Sequence, residues 1–104
     1  MRFLLLGSSA AEGYPGLFCD CEQCRQARAA GGRNLRLRTS ALINDDLLID
    51  PGPDLLASIQ RHRLCLAELR FTLITHFHED HWLLDNLLYH HQWFRGVEVP
   101  TLHL

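Results

Sequence analysis

The stretch Thr75-His76-Phe77-His78-Glu79-Asp80-His81 packs four potential metal ligands into six residues, straight after the apolar run Phe71-Thr72-Leu73-Ile74. A lone histidine behind a strand is ordinarily a polar surface residue. Three histidines and an aspartate together point instead to a metal site. Neutral imidazole and carboxylate are ligands for Zn, Fe or Mn, and a tight loop at a strand's end can aim its side chains into one cleft while the strand holds the backbone rigid. His76 and His78, two apart, can point the same way and hold a first ion. Asp80 and His81 come a step later and can reach a second ion beside it. A water shared by two such cations loses a proton near neutral pH and becomes a nucleophile. The stretch therefore predicts a hydrolytic centre, with Asp80 to orient or deprotonate the water.

Working outward, Phe71 to Thr75 is apolar on both faces and predicts a covered interior strand, and Trp82 to Leu88 predicts an apolar helical stretch. Asp50-Pro51-Gly52-Pro53 is a rigid turn, and Asp50 is either a turn former or a carboxylate that accepts the second ring N–H of a ligating histidine. Asp54 is placed to cap a helix over Leu55, Leu56 and Ile59 that ends at Arg61-His62-Arg63. Thr39 to Ile43 and Leu47 to Ile49 flank Asn44-Asp45-Asp46 and predict a hairpin. Met1 to Leu6 predicts a first buried strand ending at Gly7, Glu22 to Ala30 a surface helix stopped by Gly31-Gly32, and Val97 to Leu104 a last strand. Strands mixed with helices define an α/β chain.

A length of 104 residues corresponds to one domain or a piece of one, and 47% hydrophobic against 21% charged residues is ordinary globular composition. No apolar run approaches the roughly 20 residues of a membrane span, and Met1 to Leu6 lacks the build of a secretory signal, so the expected compartment is the cytosol. Twelve acidic residues against ten basic ones leave a net charge of -2, which gives no polycationic footprint for nucleic acid. All ten basic residues are arginine, so lysine chemistry is excluded. Cys19, Cys21 and Cys24 are spaced to wrap one structural zinc, with free thiols as the alternative, while Cys65 between two leucines reads as a small buried hydrophobe rather than the fourth ligand. Arg33, Arg36 and Arg38 are either a phosphate clamp or a solvated loop. Gly7-Ser8-Ser9 lacks the pattern of a phosphate loop.

His76, His78, Asp80 and His81 match the His-x-His-x-Asp-His signature of the metallo-beta-lactamase fold superfamily, which the chain resembles. The opening Phe3-Leu4-Leu5-Leu6-Gly7-Ser8-Ser9, the Cys-x-Cys-x-x-Cys cluster, Arg38-Thr39-Ser40-Ala41-Leu42 and Leu47-Leu48-Ile49-Asp50-Pro51-Gly52-Pro53-Asp54 are similar to the branch holding the cyclic phosphodiesterase of the carbon-phosphorus lyase pathway. Pyrroloquinoline quinone biosynthesis protein B is similar as a sister branch. The resemblance implies the N-terminal part of an αβ/βα sandwich, a mixed sheet with flanking helices, with residues 1–104 a single domain cut short at its C-terminus. It implies a two-ion zinc site, with Mn or Fe as alternatives, and one structural zinc at the cysteines completed by a residue from far along the chain. It further implies hydrolysis of small or cyclic phosphodiesters by metal-bound hydroxide; thioester, lactam or sulfur-ester substrates would use the same centre. The later third His, bridging Asp and last His of the family fall outside these 104 residues, and His90, His91 and His103 are either replacements or surface residues. The expected partner is a small-molecule substrate, with no membrane and no nucleic acid, and self-association into a homo-oligomer stays open. The rival expectation is a non-catalytic zinc-binding fragment that needs a missing C-terminal half or a partner chain.

Overall fold

A computed structural model describes residues 1–90 and 101–103. Its regular elements in chain order are β1 (Phe3–Gly7), α1 (Glu22–Ala30), β2 (Ser40–Ile43), β3 (Leu47–Ile49), α2 (Leu55–Arg61) and β4 (Phe71–Leu73), with 3-10 turns at Gly32–Asn34 and Leu84–Tyr89. The four strands form one mixed sheet in the order β1-β2-β3-β4. β1, β2 and β3 run antiparallel in sequence, and β4 lies parallel to β3. A parallel pair needs a crossover, and α2 supplies it. The C-terminal edges of β1, β3 and β4 consequently share one rim of the sheet.

The hairpin forms where expected because Asn44 accepts a left-handed backbone (φ 56°), which an amide side chain tolerates well. α1 stops at Gly31, whose φ of 62° and N–H bond to the Ala27 carbonyl close the helix. Among the described residues the core lies on one face of the sheet. Leu6, Leu42, Leu48 and Leu69 are buried, and Leu55, Ile59, Leu64 and Leu66 pack over them.

The other face carries the cross-strand ladders Phe3–Ile43–Leu47–Phe71 and Leu5–Ala41–Ile49–Leu73. Phe3 is 57% exposed, Leu5 51%, Phe71 41% and Leu73 53%. This corrects two expectations. β1 is buried on one face rather than both, and β4 is not covered on both. Both runs are apolar throughout, so the residue types could not reveal that among the described residues only one side meets helices.

One further expectation is corrected, one is refined and one lies mostly outside the described residues. The Asp54 side chain does not cap α2; its Oδ2 accepts the Arg38 backbone N–H at 2.9 Å and lies 3.5 Å from Arg38 Nε. The helical stretch expected over Trp82 to Leu88 is a 3-10 helix spanning Leu84–Tyr89. The last strand expected from Val97 falls mostly outside the described residues, as do His91 and Trp93. Within 101–103, His103 bridges Phe71 in parallel, its carbonyl accepting from Thr72 N–H at 2.8 Å.

Candidate metal centre

The centre is built on the turn that ends β3. Asp50 adopts φ 58°, a left-handed conformation that carboxylate side chains tolerate better than most. Its backbone N–H bonds the Leu73 carbonyl of β4 at 2.8 Å, which ties the ends of the parallel pair together. Its side chain is buried at 1% exposure yet fully engaged. Oδ1 accepts the Thr75 N–H at 2.8 Å, Oδ2 accepts the Thr75 hydroxyl at 2.8 Å, and Oδ2 also lies 2.6 Å from His81 Nδ1. Burial raises the Asp50 pKa, but the Thr75 N–H, the His81 ring and the Thr75 hydroxyl together hold it below the ordinary carboxylate value.

Pro51 and Gly52 form the floor under the histidine loop. The Pro51 carbonyl accepts from Leu83 N–H at 2.9 Å, and the Gly52 carbonyl accepts from Asn86 Nδ2 at 2.8 Å. A Cβ on Gly52 would collide with the Asp80 carbonyl oxygen, so only glycine lets the loop lie this close. The loop adds one turn of its own, His81 N–H to the His78 carbonyl at 2.9 Å. Phe77 and Trp82 meet edge to face with ring centroids 5.5 Å apart.

Ligand atoms of His76, Asp80 and His81 lie within 4.8 Å of one another. His78 stands against His76 with ring centroids 4.6 Å apart, and His76 and His81 are 4.0 Å apart. The grouping thus differs from the pairing of His76 with His78 and Asp80 with His81: His76 joins Asp80 and His81, and His78 projects as an exposed neighbour.

Protonation follows from the partners. The Thr75 hydroxyl has one hydrogen, given to Asp50, so at 3.1 Å it accepts from His76 Nδ1. His81 Nδ1 donates to Asp50. Both rings are thereby set in the tautomer that leaves Nε2 with a lone pair. His81 Nε2 lies 3.1 Å from Asp80 Oδ2. A lone pair facing a carboxylate oxygen at that distance is repulsive unless a proton or a cation lies between them. Two imidazoles and a carboxylate form a donor set that zinc takes in catalytic sites, with a further position open to water, so the residues fit the ion.

Thr75 is the functional residue that sequence reading passed over. It served there only as the last residue of a strand, whereas its hydroxyl joins Asp50 to His76. The usable signal was a hydroxyl residue at the junction between strand and ligand loop.

A second cluster lies at the start of α1. The sulfurs of Cys19, Cys21 and Cys24 are within 4.8 Å of one another. Cys21 is the N-cap of α1, its sulfur accepting from Cys24 N–H at 3.5 Å, and Cys24 Sγ accepts from Gly16 N–H at 3.4 Å. The Cys24 N–H and the two neighbouring thiols lower the Cys21 pKa. For Cys24 the Gly16 N–H favours the thiolate, but Cys19, burial and Cys21 outweigh it and the pKa rises. Three converging sulfurs suit one zinc with one ligand still to come. Cys65 is exposed, against the expectation of a buried hydrophobe. His90 Nε2 lies 3.1 Å from the Leu69 carbonyl and His103 stacks on Phe71, so neither joins the metal cluster.

No family model matches the chain. It is 41% identical over 59 residues to coenzyme PQQ synthesis protein B of Bradyrhizobium diazoefficiens, covering 53% of this chain and 19% of that protein. An octanoyltransferase of Porphyromonas gingivalis is 38% identical over 88 residues, covering 78% of this chain and 16% of that protein. All but that 16% of the octanoyltransferase lies outside the match. Among solved structures, a diphosphatase from the PhnP family superposes with a TM-score of 0.71 at 28% identity, over 92% of this chain and 38% of that one. Zn(2+)-bound PqqB from Methylobacterium extorquens superposes with a TM-score of 0.66 at 21% identity, over 100% of this chain and 46% of that one, and shows the fold. The chain therefore spans less than half the length of each relative it matches. The chain has the metallo-beta-lactamase fold and resembles, over part of their length, the PhnP-family diphosphatase and PqqB.

Proposed function

We propose that this chain forms the metal-gripping part of a hydrolase that cleaves small or cyclic phosphodiesters. The observation that carries the reading is the convergence of His76, Asp80 and His81 over a buried Asp50 that fixes the His81 ring. The similarity to a diphosphatase supports a phosphorus-centred substrate, and a Zn-bound relative of the same fold supports zinc, with Mn or Fe as substitutes. Bound there, the metal supplies a Lewis acid that lowers the pKa of a coordinated water. The chain's own residues do the rest. Asp50 and Thr75 orient the two rings, His76 and His81 present Nε2, and the Asp80 carboxylate beside His81 Nε2 is placed to hold or accept a proton. His78 adds a ligand from the exposed side when a second ion is held. The cysteines hold a structural zinc. A cytosolic setting and a small-molecule substrate complete the proposal; among the described residues no helix is long and apolar enough to cross a membrane.

The test is hydrolysis of bis(p-nitrophenyl) phosphate by the zinc- or manganese-loaded chain and by any longer product of the same reading frame. Activity in either form that disappears with His76→Ala and with Asp80→Asn supports the reading. Activity that survives both substitutions overturns it.

A second reading, a zinc-binding module without catalysis that works against a partner chain or a second copy, is favoured by the exposed ladders through Phe3, Leu5, Phe71 and Leu73. It predicts zinc binding without turnover in every form of the protein.

A further inference from the structure

We infer that the cleft between the C-terminal end of α2, the loop Gly32–Leu37 and the end of β1 binds the phosphate group of a small organic molecule, at a place separate from the metal loop. The cleft has a volume of about 480 Å³ and none of its lining comes from residues 75–81. Cavities of several hundred Å³ are the size that admits small ligands.

The charge pattern points to an anion. Arg33, Arg36, Arg61 and His62 line the cleft, and no carboxylate does. Elsewhere four arginines pair with carboxylates, Arg2 with Asp45, Arg25 and Arg28 with Asp20, and Arg38 with Asp54, while Arg63 and Arg70 do not. Among the described residues, Arg33, Arg36 and Arg61 have no such partner. Three like charges in one cleft repel one another until an anion enters, and guanidinium matches the geometry of phosphate oxygens.

Arg61, His62 and Arg36 each make a contact of their own. Arg61 Nη1 donates to the Leu35 carbonyl at 3.2 Å, which ties the helix end to the loop. His62 Nδ1 lies 2.9 Å from the Ser58 carbonyl, and the Arg36 guanidinium lies over the Tyr14 ring at 5.6 Å. Leu35 and Leu37 add an apolar wall for the organic part of the ligand. Arg38, placed by sequence with Arg33 and Arg36 as one clamp, is withdrawn from it by Asp54. Arg61, at the end of α2, takes its place. The inference does not depend on the reading of the metal loop.

The test is calorimetric titration of the whole chain with inorganic pyrophosphate. We expect the double variant Arg33→Ala/Arg61→Ala to weaken binding by about tenfold or more, the order expected when two charge-assisted contacts are lost. Arg25→Ala on α1 should bind as the wild type does. All these positions are exposed, so the fold should tolerate each change. Equal weakening by Arg25→Ala means general charge attraction and overturns the proposal. So does a loss with His76→Ala that the arginine variant does not share, because pyrophosphate would then sit on the metal loop. Absence of binding at millimolar pyrophosphate also overturns it. A short single-stranded oligonucleotide that displaces pyrophosphate at much lower concentration would move the site to nucleic acid and overturn the small-molecule assignment.

Discussion

Replacing Asp50 by alanine removes the acceptor of three hydrogen bonds from a position 1% exposed to solvent. The Thr75 N–H and the His81 Nδ1–H are left without replacement partners, and each orphaned donor costs about 1–3 kcal/mol. The Thr75 hydroxyl can turn to solvent and adds little. Alanine must also hold the left-handed backbone at this position, which costs about 1 kcal/mol more than glycine there. Alanine should therefore destabilise the chain by about 3–7 kcal/mol, against a total of about 5–15 for a typical domain. Asp50→Gly should recover about 1 kcal/mol of that loss, since it removes the same bonds without the backbone penalty. Asp50→Asn keeps an acceptor for the Thr75 N–H and tolerates the backbone, so it should cost only about 1–2 kcal/mol. Urea unfolding followed by circular dichroism in a chelating buffer measures all three without a metal contribution. The order Asn, Gly, Ala from mildest to worst is the expected result. An alanine variant within about 1 kcal/mol of wild type would refute the account of the turn.

The same residue sets an acid limit. Its folded-state pKa is lowered from 3.8, so its contribution is complete above that value and is lost as pH falls through the lowered one; Asp50→Asn should flatten this part of a stability-versus-pH curve. Gly52→Ala forces the loop off the turn and should weaken zinc binding by about 10–100-fold in competition with a chromogenic chelator, the scale seen when groups supporting a ligand are disturbed. In the zinc-free chain, iodoacetamide should alkylate Cys21 before Cys24, read by peptide mass spectrometry, because only the first thiol has a lowered pKa and it is exposed while Cys24 is buried. Leu5→Glu with Leu73→Lys should reduce self-association in light scattering while leaving the helical signal intact, since both side chains lie on the open face of the sheet.

Local signals predicted the local structure. Asn44-Asp45-Asp46 marked the hairpin and Gly31 the end of α1. What escaped was decided by distant partners. Asp54 has the position of a helix cap, yet a backbone N–H sixteen residues upstream at Arg38 competes for its carboxylate and wins. Phe71 to Ile74 reads as a strand covered on both sides because its residues are apolar, but coverage depends on what packs there. The role of Asp50 was within reach from its place before Pro-Gly-Pro. The role of Thr75 needed the distance to that aspartate.

The bonds between Asp50 and the ligand loop join residues 25 and 31 positions apart in sequence. They exist only once β4 has docked beside β3, and parallel docking across a helical crossover belongs to the slow class of folding steps. The hexapeptide His76 to His81 therefore has no reason to take its shape early, and adding zinc to the unfolded chain should not hasten collapse. Ion capture by this loop is a late event, a report that the sheet has closed.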